Sequence, residues 1–200
     1  NYAQDWIDQL IIHEFRHAVQ YTAVDRGFTR GMSWLFGQQA VPAVIGLFVP
    51  LWFIEGDATV IETAAGTTGR GRLPSFEMKL KAQFLEKGIY HYDKAVHGSF
   101  RDYVPNRYEL GYQLVGRTRT EFGRDVWAGV MKTVGSYPFM LVPFSHSLKK
   151  QTGFGKVPLY HYLTSRMKRE WKDADAEKEL SGFQSVSPDA DDFTNYRMPA

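Results

Sequence analysis

From Trp6 onward, apolar residues recur at steps of three and four. Trp6, Ile7, Leu10, Ile11, Phe15, Ala18, Val19 and Thr22 form one stripe over about six turns. This spacing predicts an amphipathic helix, closed by Gly27 and Gly31. Residues 34–54 (WLFGQQAVPAVIGLFVPLWFI) are far more apolar, but glycines, prolines and a Gln-Gln pair interrupt them. No unbroken run reaches the roughly 18 residues of a membrane span. The segment is expected to be a buried hairpin or short helix pair, in preference to a membrane-touching loop. Helical spacing returns over 52–65, followed by a loop at 67–74 (TTGRGRLP). Further helices are expected at 75–87, 108–122, 124–135, 141–151 and 157–171, with Gly88, Pro105, Gly123, Pro138 and Gly153 as punctuation. Period-2 alternation is not sustained anywhere, so the fold class is mainly α.

Composition narrows the function classes. Of the 200 residues, 44% are hydrophobic and 23% charged, the balance of a globular chain with a sizeable core. There are no cysteines, which excludes disulfide frameworks, thiolate metal sites and cysteine nucleophiles. The net charge of +2 is too small to point to nucleic acid. It averages a body of +6 over 1–171 and a tail of −4 over 172–200, where seven acidic residues face three basic ones. We therefore read 1–171 as one helical domain and 172–200 as an acidic linker or flexible tail. Because the chain starts at Asn1 and not Met, it is read as a processed product or a piece of something longer.

The first helix carries His13-Glu14-Phe15-Arg16-His17, an H-E-x-x-H motif. Positions 13 and 17 lie about 40° apart and one turn along a helix, so both imidazoles can reach one ion. Glu14 lies about 100° round from His13, where its carboxylate flanks such an ion and can take a proton from water. The rival reading is two ordinary histidines on a helix. A catalytic zinc site needs a third protein ligand and one open position. No third histidine occurs between Val19 and Arg26, so the metzincin continuation is absent. Glu55 is the better candidate, because a glutamate within Trp52-Phe53-Ile54-Glu55-Gly56-Asp57-Ala58 is costly unless paired or metal-bound. Its alternative is a buried ion pair to an arginine.

The W-x-x-E-G-x-A segment following H-E-x-x-H resembles that of gluzincin metallopeptidases, particularly the aminopeptidase-N-like and thermolysin-like group. The resemblance implies His13, His17 and Glu55 as zinc ligands and Glu14 as general base. It also implies Glu62 as the carboxylate that orients a zinc histidine, although Glu62 reads equally as a solvated helix residue. Tyr108, in Tyr108-Glu109-Leu110-Gly111, would donate to the oxyanion, with Tyr103 and Tyr112 as nearby rivals. The fold implied is the helical zinc-binding subdomain of such an enzyme. Its preceding sheet would be missing, since only 12 residues precede His13. The 37 residues between His17 and Glu55 exceed the aminopeptidase-N-like spacing, and no G-x-M-E-N segment is present.

WFIEGDA, GRGRLP, FRDYVPNRY and ELGY also resemble large exported peptidase-like proteins of Bacteroidetes-type bacteria, over roughly residues 5–170. That resemblance implies further domains in the same polypeptide, a periplasmic or cell-surface location, and a peptide or protein substrate. Arg70 and Arg72 are read as loop-solvating residues ahead of a role in binding a substrate carboxylate. The function expected is zinc-dependent peptide-bond hydrolysis. The alternative is a catalytically silent, zinc-stabilised scaffold domain of a larger surface protein.

Overall fold

The computed structural model describes residues 6–176 and Gly182. Among the described residues ten α-helices follow one another: α1 (Trp6–Val24), α2 (Gly27–Phe36), α3 (Ala40–Phe48), α4 (Leu51–Ala65), α5 (Pro74–Glu86), α6 (Tyr92–His97), α7 (Arg107–Phe122), α8 (Val126–Ser136), α9 (Pro143–Thr152) and α10 (Lys156–Ala176). A 3₁₀ turn, Arg70–Arg72, lies between α4 and α5, and no strand occurs among the described residues. The chain is mainly helical, as its periodicity predicts. The helices expected at 75–87, 108–122, 124–135, 141–151 and 157–171 correspond to α5 and α7–α10 within a few residues. α2 and α6 carried no recognised signal. α10 continues to Ala176, so the first residues of the acidic tail are helical; the rest of the tail, Gly182 apart, lies outside the described residues.

Local chemistry explains the starts of these helices. Asn106 caps α7 through Oδ1, which accepts from the backbone N–H groups of Tyr108 (2.9 Å) and Glu109 (3.2 Å). Glu109 returns the bond by accepting from the Asn106 N–H at 3.0 Å, which completes a capping box. Prolines open α5 and α9, where a missing N–H costs nothing.

Around the start of α4 the core is aromatic. Trp52 and Phe53 pack on Trp127 of α8 and Phe144 of α9, with the Phe53 and Trp127 rings 4.7 Å apart. α4 and α7 cross at glycines. A Cβ on Gly56 would lie 2.2 Å from the Gly111 carbonyl carbon, and one on Gly111 would lie 2.0 Å from the Trp52 oxygen. Backbone meets backbone there, and nothing larger than hydrogen fits.

α1 departs from the rule for amphipathic helices. Its inward residues include His13, Gln20 and Val24, whereas Trp6, Ile7, Leu10, Ile11 and Phe15 of the apolar stripe are exposed. Residues 34–54 differ from expectation as well. They form the end of α2, all of α3 and the start of α4. Val41, Ile45, Trp52 and Phe53 are buried, but Trp34, Leu35, Phe36, Leu47 and Leu51 are exposed.

Candidate metal centre

The inward face of α1 is polar because it meets the polar face of α4. His13 is buried with one carboxylate on each ring nitrogen: Glu55 Oε2 is 3.4 Å from Nε2 and Glu62 Oε2 is 3.2 Å from Nδ1. The seven-residue spacing of Glu55 and Glu62 along α4 puts both on this face. His17 Nε2 is 3.7 Å from the same Glu55 oxygen. The two imidazoles are perpendicular, with ring centres 4.9 Å apart. Glu14 is exposed, and one of its carboxylate oxygens lies within 4.8 Å of ligand nitrogens of both histidines.

The Glu55 oxygen facing the two histidines tests whether these residues fit a metal. Glu55 Oε2 is buried and makes no hydrogen bond of acceptable geometry. Its distances of 3.4 and 3.7 Å to the two Nε2 atoms are long for hydrogen bonds. They are close to the edge of a tetrahedron with zinc–ligand distances near 2.1 Å, which is about 3.3–3.6 Å. A buried carboxylate oxygen beside two imidazole nitrogens is chemically able to serve as a metal ligand, while the group whose possible ligand atoms all lie within 4.8 Å of one another is His13, Glu14 and His17.

Electrostatics favours positive charge on His13 itself. Burial opposes protonation of His13, but the neighbouring Glu55 and Glu62 carboxylates outweigh it and raise the ring to about 9. Proximity to His13 holds Glu55 below the ordinary carboxylate range against the opposing effect of burial. Glu62 is held down to about 2, because its bonds to His13 and Arg70 overcome its burial. Two carboxylates around one imidazole favour positive charge at this spot.

Both histidines are held from behind. Glu62 fixes His13 at Nδ1, leaving Nε2 toward Glu55. Arg70, in the 3₁₀ turn, grips Glu62 through its backbone N–H (3.1 Å) and Nη2 (2.7 Å), and its Nη2 also lies 2.9 Å from His13 Nδ1. His17 Nδ1 meets Gln20 Oε1 at 2.9 Å. The Gln20 amide nitrogen in turn donates to Asp57 Oδ2 (2.9 Å) and to the Ile54 carbonyl (3.0 Å). Asp57 is wholly buried and also accepts from Arg16 and Arg119, both at 2.7 Å. Partners of this kind set the tautomer and orientation of a metal-binding imidazole.

Tyr108 stands in the first turn of α7, with its ring centre 6.1 Å from that of His13. Burial and the adjacent Glu55 carboxylate raise its phenol above the ordinary value, so it keeps its proton and can donate. The Arg70 guanidinium lies 4.9 Å from the centre of its ring. Of the rivals, Tyr112 packs edge-on against Phe76 and closely over Gly71, a packing role. Tyr103 is half-buried, and burial followed by Glu109 raises its phenol.

The structure thus brings together His13, His17, Glu55, Glu62, Glu14 and Tyr108. It adds four residues to which sequence reasoning assigned no such place: Gln20, Asp57, Arg70 and Arg119. Arg70 and Arg72 also do more than solvate their loop, since Arg72 donates to the Thr63 carbonyl at 3.1 Å. Among the four, Asp57 carried a usable signal, being a second carboxylate two residues from Glu55 in an apolar segment. No protein-family model, curated protein or solved structure matches the chain.

Proposed function

We propose that this chain is a zinc-dependent peptidase. The observation that carries the reading is Glu55 Oε2: buried, without a hydrogen bond, and facing the Nε2 atoms of His13 and His17. His13, His17 and Glu55 would hold the zinc, which when bound acts as a Lewis acid toward water and a peptide carbonyl. Glu14, exposed beside the two imidazoles, takes the proton from the attacking water and delivers it to the leaving amine. Tyr108 donates its hydroxyl hydrogen to the oxygen that gains negative charge. Glu62 and Gln20 keep the imidazoles facing Glu55, and Arg70 and Asp57 hold those two in place.

The test pairs metal analysis with turnover of unstructured peptides. Glu14→Gln is expected to retain zinc and lose about 10²–10⁴-fold in hydrolysis. Unchanged turnover in Glu14→Gln, or a wild-type protein that takes up no zinc, defeats the assignment. The competing reading, a silent zinc-stabilised scaffold, is favoured by the exposed apolar stripe of α1, which suits an interaction surface. Zinc-loaded protein with no chelator-sensitive cleavage across a peptide panel would select the scaffold.

A further inference from the structure

Outside the metal centre, two segments carry apolar side chains to the surface without charge among them. Residues 31–54 contain no Asp, Glu, Lys, Arg or His, and residues 133–148 contain His146 as their one ionisable side chain of those types. They adjoin in space. α2 packs on α8, and Phe28 at the start of α2 meets Phe139 edge to face at 5.2 Å. Trp34 is 90% exposed and Leu141 92%; Leu35, Phe36, Leu47 and Phe139 are also exposed. α3 is apolar on all sides yet lies at the surface, with Val41 and Ile45 turned in and Leu47 turned out. Helices of that composition ordinarily occur inside a protein or inside a membrane.

Along the sequence, the flanks of the two segments are mostly basic. Arg26 and Arg30 precede the first segment, Lys132 precedes the second, and Lys149 and Lys150 follow it, against Asp25 as an acidic neighbour. Glu55, which ends the first segment, is turned to the imidazoles. No single helix is long and apolar enough to cross a bilayer. α3 and α4 together are apolar enough, but they meet at 105° and α4 turns Trp52, Phe53, Asp57 and Glu62 into the protein core.

From these features we infer that the face formed by α2, α3, the start of α4 and residues 137–142 docks on an anionic lipid bilayer. Trp34, Leu35, Phe36 and Leu141 would enter the boundary between headgroups and acyl chains, with Tyr137 and the border cations at headgroup level. A charge-free apolar centre with aromatic anchors and a cationic margin matches both layers of such a surface. The apolar stripe of α1 is different, because Asp8 and Glu14 interrupt it. Leu51, exposed on the docking face, is one helical turn (about 6 Å) before Glu55. The metal centre therefore stands just above the proposed lipid surface, although the docking inference does not depend on what the centre does.

Co-sedimentation of the 200-residue chain with vesicles tests the inference. The protein should pellet with phosphatidylcholine–phosphatidylglycerol vesicles, and less with phosphatidylcholine alone or at high salt. The triple change Trp34→Ser, Leu35→Ser and Phe36→Ser should lower vesicle affinity by roughly tenfold or more. Its circular dichroism and zinc content should stay as in wild type, since all three side chains are exposed. Lys149→Glu with Lys150→Glu should weaken binding to the anionic vesicles several-fold and leave binding to phosphatidylcholine alone unchanged. Three results would overturn the inference: no pelleting with either vesicle, equal pelleting of the triple variant, or a lipid-independent dimer that the triple change dissociates.

Discussion

The α1–α4 interface and the α2–α3 face invert the usual relation between polarity and burial. At the first, two histidines, three carboxylates, a glutamine and three arginines crowd around two helices. At the second, tryptophan, leucine and phenylalanine side chains are exposed. The two inversions are stabilised differently. The polar interface is tolerable because most buried atoms there have a hydrogen-bond partner, Glu55 Oε2 and Arg119 Nε being exceptions. The apolar face has no internal compensation at all. On the two proposals above, each inversion marks a place where the chain meets something outside itself.

The largest expected effect comes from breaking the polar interface at Asp57. Asp57→Ala leaves Arg16 and Arg119 facing each other without their shared acceptor. Both guanidiniums are partly exposed, so the loss should be at the low end for a buried pair, about 3 kcal/mol. A thermal melt should show this as a drop of roughly 10 °C. A variant as stable as wild type would mean the network is not what holds α1 on α4.

The acid response of the metal-free chain should be smaller. Glu62 is depressed to about 2, burial being overcome by His13 and Arg70. A carboxylate held below its unfolded value contributes stability that is full above about 4.5 and is lost as pH falls toward 2. Wild type should therefore lose melting temperature steeply across that window. Glu62→Gln should start lower at neutral pH and lose less. Parallel pH profiles of the two proteins would contradict the pairing.

The apolar face should show the smallest effect on folding. Trp34→Ser removes an exposed side chain and is expected to change stability by no more than about 0.5 kcal/mol by denaturant titration, even while it weakens vesicle binding. A loss of several kcal/mol would show that Trp34 packs against the body in solution.

The extent to which sequence disclosed this molecule follows from how local each signal was. H-E-x-x-H was legible because helical periodicity fixes its residues relative to one another, Glu55 because a carboxylate in an apolar segment is costly, and Glu62 and Tyr108 only through the resemblance to gluzincins. Gln20, Arg70 and Arg119 were not. Gln20 reaches Asp57 across 37 positions, Arg70 meets His13 across 57, and Arg119 meets Asp57 across 62. The inward side of α1 was not legible for a related reason. An apolar stripe identifies the core-facing side only when the core is apolar, and here the facing helix offers Glu55, Asp57 and Glu62. The surface position of 34–54 escaped notice because a broken apolar run reads alike in a core or on a docking face.

The glycine crossing of α4 and α7 has a consequence for how the centre is inherited through change. Gly56 follows Glu55 directly, and Gly111 lies three residues after Tyr108. With backbone touching backbone at these points, the approach of the helices that carry Glu55 and Tyr108 is a hard stop, not a cushion of side chains. Drift in the size of core residues elsewhere can tilt neighbouring helices without altering that approach. Glu55 and Tyr108 are aligned the way parts of a tool are aligned by a dowel pin, and the surroundings are free to vary around it.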